Sequence, residues 1–149
     1  MQQSTKPTIL FAHANGFPGR TYQQLFTFLK SDFQINYLEN IGHQTSYPVG
    51  SNWEFLALEL QDYIEQNFER PIIGVGHSLG GVLHLITALK RPELYQQLII
   101  LDSPLYPPFK SFLLKQFKKW GLMHYITPSR TSARRRNLWP TAEIALDYF

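Results

Sequence analysis

Residues 71–90 read Pro71-Ile72-Ile73-Gly74-Val75-Gly76-His77-Ser78-Leu79-Gly80-Gly81-Val82-Leu83-His84-Leu85-Ile86-Thr87-Ala88-Leu89-Lys90. Pro71 to His77 is short and almost wholly apolar, as a strand buried on both faces should be. Leu79 to Lys90 then reads as a helix, stopped by Arg91-Pro92. Between them lies Gly76-His77-Ser78-Leu79-Gly80, a Gly-x-Ser-x-Gly pattern in the strand-to-helix setting that gives it meaning. A serine on so tight a turn adopts a strained backbone that lifts its hydroxyl above the sheet, and its neighbours two residues away on either side must lack a Cβ. The helix that starts at Leu79 aims free N–H groups and its positive dipole end at any anion formed beside Ser78. Two readings stand at this point, a nucleophilic serine or a glycine-rich turn with an incidental one. A phosphate loop is set aside, because neither Gly-Lys-Ser/Thr nor Gly-x-Gly-x-x-Gly occurs.

Upstream, short apolar runs alternate with amphipathic stretches, the pattern of a parallel sheet covered by helices. Thr8 to Ala14 is a strand ending in the loop Asn15-Gly16-Phe17-Pro18-Gly19. Thr21 to Lys30 places Tyr22, Leu25, Phe26 and Leu29 at helical spacing, and Gln34 to Ile41 is a second strand. Gly42 to Ser51 is loop. Ser51 or Asn52 caps a helix to about Asn67, with Phe55, Leu56, Leu58, Leu60 and Ile64 on its buried side. Gln97 to Asp102 is a fourth strand, apolar through Leu98-Ile99-Ile100-Leu101. The prediction is a doubly wound, mostly parallel α/β sheet over 1–104. If the first strand neighbours the third, the loop after Ala14 and the turn at Ser78 share the carboxyl edge, where open sheets bind ligands. Backbone N–H groups from that loop and from Leu79 would then make a pair of donors for a tetrahedral intermediate.

Composition sets the outer limits. A chain of 149 residues is one domain's worth, able to bury roughly 68–70% of its unfolded surface. It is 44% hydrophobic and 17% charged, which excludes a disordered chain. The absence of cysteine excludes disulfides, thiolate metal sites and a cysteine nucleophile, and no cofactor or metal is called for. The apolar run after the polar start is too short for a secretory signal, so a cytoplasmic protein is expected.

Charge is uneven. Residues 1–104 hold six Lys/Arg and nine Asp/Glu, against eight and two in 105–149. Lys110, Lys115, Lys118 and Lys119 accompany Phe109, Phe112, Leu113, Phe117 and Trp120 as one amphipathic helix, read as a lid with a wet basic face. Membrane-surface association and nucleic-acid binding are the weaker readings of the same charges, and Arg134-Arg135-Arg136 is given no function. Pro104, Pro107 and Pro108 break the α/β rhythm, so the one boundary falls there, with 105–149 read as an insertion or lid.

The ordered set His13-Ala14-Asn15-Gly16, Gly42-His43, Gly76-His77-Ser78-Leu79-Gly80-Gly81 and Leu101-Asp102-Ser103-Pro104 resembles the α/β-hydrolase superfamily over residues 8–103. The resemblance implies an incomplete core followed by the start of a helical cap. It implies Ser78 as nucleophile, Leu79 and Asn15 as oxyanion amides, and ester, thioester or related acyl transfer. A serine at the turn points away from the relatives that attack with a carboxylate. Asp102 is a candidate acid, because some members place theirs after this strand; the alternative is an aspartate that orders the turn before Pro104. No histidine suits the base. His84 lies about 240° around the helix from Ser78, His124 falls in the cap, His13 braces its loop, His77 points away, and His43 precedes the turn. The missing base, an apolar fourth strand at the sheet edge, and an end at Leu146-Asp147-Tyr148-Phe149 inside a helix opened by Pro140 and Thr141 together predict further chain beyond Phe149. The lid aromatics Tyr106, Phe109, Phe112, Phe117, Trp120, Tyr125 and Trp139 point to a small apolar acyl substrate. The competing reading is a non-catalytic α/β module that binds a ligand or partner.

Overall fold

The computed structural model describes residues 6–50, 52–105, 140, 141, 143 and 144. The chain divides into two units, Met1–Leu105 and Tyr106–Phe149. The lid helix with its lysines and aromatics, His124 and the arginine run lie outside the described residues. In the second unit, Glu143 and Ile144 are helical, and the Ile144 N–H donates to the Thr141 hydroxyl at 3.3 Å.

The first unit runs β1 Thr8–Ala12, α1 Gln23–Leu29, β2 Gln34–Tyr37, α2 Glu54–Asn67, β3 Ile72–His77, α3 Leu79–Lys90 and β4 Tyr95–Leu101. The four strands form a sheet of order β2-β1-β3-β4, and every pairing is parallel. Alternation along β1 divides the core. Leu10 and Ala12 face α2 and α3, packing with Leu56, Leu60, Ile64, Ile72 and Leu83, while Ile9 and Phe11 face α1, packing with Phe26, Ile73 and Val75. Helices therefore cover both faces, the doubly wound arrangement. Among the described residues β4 pairs only with β3. Val75 lies beside Ile99 and His77 beside Leu101, yet Ile99 and Leu101 are each 37% exposed.

Several boundaries differ from the sequence reading. β1 stops at Ala12, two residues early, because Ala14 turns its carbonyl to the Phe17 N–H at 3.0 Å and its N–H to the Tyr22 hydroxyl at 3.2 Å. β2 stops at Tyr37, and β4 starts at Tyr95, which pairs with Ile72. Asn52 does not cap α2, and Ser51 lies outside the described residues. Trp53 occupies the cap position with left-handed backbone (φ 60°, ψ 13°), no side chain caps the helix, and the first turn closes by the Ala57 N–H on the Trp53 carbonyl. Leu25, Phe55 and Leu58 are exposed, and α2 instead buries Leu56, Ala57, Glu59, Leu60 and Ile64.

Among the described residues four polar side chains are buried, His13, Glu59, His84 and Thr87. His84 is fully buried under β3, where Gly74 leaves room for its ring and for that of Tyr95. Its Nδ1 lies 3.1 Å from the Tyr95 hydroxyl, and its Nε2 is buried without a hydrogen-bond partner. Burial lowers its pKa to about 4, against a smaller opposing pull from the Leu10 and Val75 carbonyls. The ring is neutral, with a proton on one nitrogen only. Glu59 accepts the Gly42 N–H at 3.0 Å through Oε2 and leaves Oε1 buried without a partner; burial raises its pKa, partly offset by Gly42, His43 and His13.

Two outcomes follow. At Gly80 an added Cβ would collide with the Ala12 carbonyl, main chain that cannot give way, so Gly80→Ala should lower stability by at least about 3 kcal/mol in urea unfolding. Below its ordinary value of 6.5, His84 takes a proton in the unfolded chain but not in the folded one until about pH 4, so stability falls as pH drops through that window, by roughly 3 kcal/mol in all. Glu59 titrates with the opposite slope, which makes the difference between the native protein and His84→Gln in pH-dependent unfolding the measurement. His84→Gln should flatten the acid loss.

Candidate active site

Ser78 stands between β3 and α3 with φ 51° and ψ −113°, a backbone conformation outside those an L-residue adopts freely. Three contacts hold it there. Its N–H donates to the Leu101 carbonyl at 3.0 Å, which ties the turn to β4, and its carbonyl accepts the Val82 N–H at 3.3 Å, which closes the first turn of α3. The third is close packing. A Cβ at Gly76 would run into the main chain of Gly80 and Gly81, and one at Gly80 into Ala12. The two glycines flanking the serine are thus demanded by sterics, as the motif requires. Ser78 is half-buried and stands at the carboxyl edge of the sheet.

Ala12 pairs with Gly76, which brings the loop after β1 beside the turn. Asn15 on that loop is exposed, and no described residue accepts its N–H. Leu79 is the first residue of α3, where an N–H has no intrahelical acceptor. Both amides named as oxyanion donors are therefore available at the same end of the sheet.

The loop is held by side chains that the sequence did not single out together. His13 is buried; its Nε2 accepts the Ile41 N–H at 3.1 Å, so its Nδ1 carries the proton and donates to the Ala14 carbonyl at 2.8 Å. The Tyr22 hydroxyl accepts the Ala14 N–H and lies 2.8 Å from Nδ1 of His77. Glu59 holds Gly42, next to the Ile41 that His13 grips. Nothing in one sequence marked Tyr22 as more than an apolar helix residue. Glu59 left a trace, a carboxylate inside the buried arc of α2.

His13 and His84 are committed to structural hydrogen bonds, and His77 has its Nδ1 taken by Tyr22. His43 is exposed after β2, a strand separated from β3 by β1. Asp102 follows β4 beside the turn, exposed and with a positive φ of 40°, and among the described residues no ion pair includes it. No group of metal-ligating residues and no helix long and apolar enough to cross a membrane occurs among the described residues. An open groove of about 710 Å³ at the opposite end of the strands, bordered by Thr8, Lys30 and Gln34, is remote from Ser78.

Comparison with known proteins agrees with this fold. Residues 34–142 match the family model described as "Putative esterase". An ethanol acetyltransferase 1 of Cyberlindnera jadinii is 26% identical over 71% of this chain and 32% of its own. A "Putative carbamate hydrolase RutD" of Pantoea ananatis is 30% identical over 68% of this chain and 38% of its own. The chain thus spans about a third of the length of these curated relatives. A solved structure described as a "putative lipase" from Acinetobacter baumannii AYE superposes with a TM-score of 0.62 at 26% identity, over 71% of this chain and 37% of that one. The chain belongs to the α/β-hydrolase superfamily, and within it to the esterase family whose model it matches.

Proposed function

We propose that Ser78 is the nucleophile of an acyl-transfer centre acting on small apolar acyl esters or thioesters. The observation that carries this reading is the backbone of Ser78, forced into a strained turn by main-chain packing at Gly76 and Gly80 while the residue is only half-buried. Strain of this kind persists where the surrounding structure over-determines it, and it clusters at reactive groups.

In the first step Ser78 Oγ attacks the acyl carbonyl carbon, and a base takes the hydroxyl proton. The Asn15 and Leu79 N–H groups receive the carbonyl oxygen as it becomes an oxyanion. Collapse breaks the bond to the alcohol or thiol, which leaves with the proton, and the acyl group remains on the serine. Water or a second alcohol then attacks the acyl-serine and restores the hydroxyl. The relatives include both an alcohol acetyltransferase and a hydrolase by name, which supports acyl chemistry and leaves the acceptor to be either. Among the described histidines none is both free and beside Ser78, so the base is supplied from outside the described residues. Asp102, at the end of the strand beside the turn, is the candidate acid behind it.

The test uses the full reading frame. A fluorophosphonate should label Ser78, and Ser78→Ala should abolish labelling and lower turnover of a nitrophenyl acetate ester by about 10³-fold or more. Turnover unchanged in Ser78→Ala, or no labelling at all, overturns the reading and leaves a ligand- or partner-binding module.

A further inference from the structure

Ala14 sits at the centre of a hydrogen-bond arrangement whose geometry bears on the oxyanion donor. Its carbonyl belongs to the same peptide unit as the Asn15 N–H. In a planar trans peptide these two groups point in opposite directions. The His13 Nδ1–H at 2.8 Å and the Phe17 N–H at 3.0 Å, both donating to the Ala14 carbonyl, therefore set the direction in which the Asn15 N–H points. The preceding peptide unit carries the Ala14 N–H, and that group donates to the Tyr22 hydroxyl at 3.2 Å. Two successive peptide planes are fixed, one by His13 and one by Tyr22.

Tyr22 makes a second contact. With its oxygen accepting from Ala14, its own proton goes to Nδ1 of His77 at 2.8 Å, which requires the tautomer with the proton on Nε2. His77 immediately precedes Ser78. The phenol is itself held in place: its ring packs against Phe11 at a centroid distance of 4.5 Å and meets the His77 ring edge-on at 5.9 Å.

We propose that Tyr22 is a positioning residue of the acyl-transfer centre, its hydroxyl joining the imidazole before Ser78 to the main chain of the loop that carries the Asn15 donor. The inference rests on Ser78 and Asn15 having the roles given above. The hydroxyl contacts neither substrate nor the reacting atoms. It sets the span between nucleophile and donor, so it acts on the transition state, where the oxyanion forms, more than on ground-state binding.

Three variants of the full-length enzyme test this with the same ester. Tyr22→Phe keeps the ring and removes the hydroxyl; it should lower kcat by about tenfold or more, a fraction of the 10²–10³ lost when an oxyanion donor is removed outright, with KM changed by less than about threefold. His77→Leu, which removes the acceptor, should do the same. His77→Asn places a side-chain oxygen near the position of Nδ1 and should recover most of the loss. A structural role alone would lower the melting temperature without this split or this recovery. The proposal is overturned if Tyr22→Phe retains kcat within about twofold of the native enzyme, or if His77→Asn and His77→Leu lose activity equally. Should Tyr22→Phe not fold, the His77 pair decides by the same criterion. Full activity in Ser78→Ala would overturn both readings, whereas an inactive Ser78→Ala beside a fully active Tyr22→Phe overturns this one alone.

Discussion

Contact between the start of α3 and the carboxyl end of β1 governs this structure. Where Gly80 meets the Ala12 carbonyl there is no room for a single carbon atom, and the same holds between Gly76 and the main chain of Gly80 and Gly81. With the helix pressed this closely onto the sheet, the chain between β3 and α3 has one residue in which to reverse, and that residue takes φ 51°. The strain at Ser78 is set by this backbone packing, together with the hydrogen bonds from its N–H to Leu101 on β4 and from Val82 to its carbonyl. A rigid main-chain seat suits chemistry that depends on a fixed distance between a nucleophile and hydrogen-bond donors.

The donor side is built differently. The loop after β1 is irregular, and its peptide groups are directed by side chains: His13 binds the Ala14 carbonyl and Tyr22, just before α1, takes the Ala14 N–H and reaches His77 at the end of β3, while Glu59 on α2 holds Gly42 in the loop after β2, next to the Ile41 that His13 grips. Three histidines that would be candidate bases by residue type serve as mortar. His13 uses both nitrogens, His77 receives the Tyr22 proton, and His84 is held neutral by burial beneath Gly74. A family that includes both acyl-transferring and hydrolysing relatives is consistent with this division. On the proposed reading, the choice between water and an alcohol as acceptor would belong to whatever surrounds Ser78.

The strand and helix order was legible because each strand is a short apolar run and each helix has one apolar arc, periodicities that survive in a single sequence. β3 was the clearest, being buried on both faces, and the Gly-x-Ser-x-Gly pattern located the turn because only glycine tolerates the closeness. Boundaries were less legible. The cap of α2 was misplaced because a tryptophan in left-handed backbone opens it, a choice made by the loop's path and not by side-chain capping. Exposure of Phe55 and Leu58 was missed for a related reason: an apolar residue on a helix does not state which neighbours will reach it.

Local sequence determined the fold class, the position of Ser78 and the need for glycine on either side of it, because these depend on the backbone within a few residues. Tertiary structure alone decided that Tyr22, 55 residues before His77, shares a proton with it, and that Glu59 and His13 anchor adjacent residues of one loop. Such pairings arise when a parallel sheet brings the ends of separate strands together. No periodicity or spacing along the chain encodes which side chains then meet.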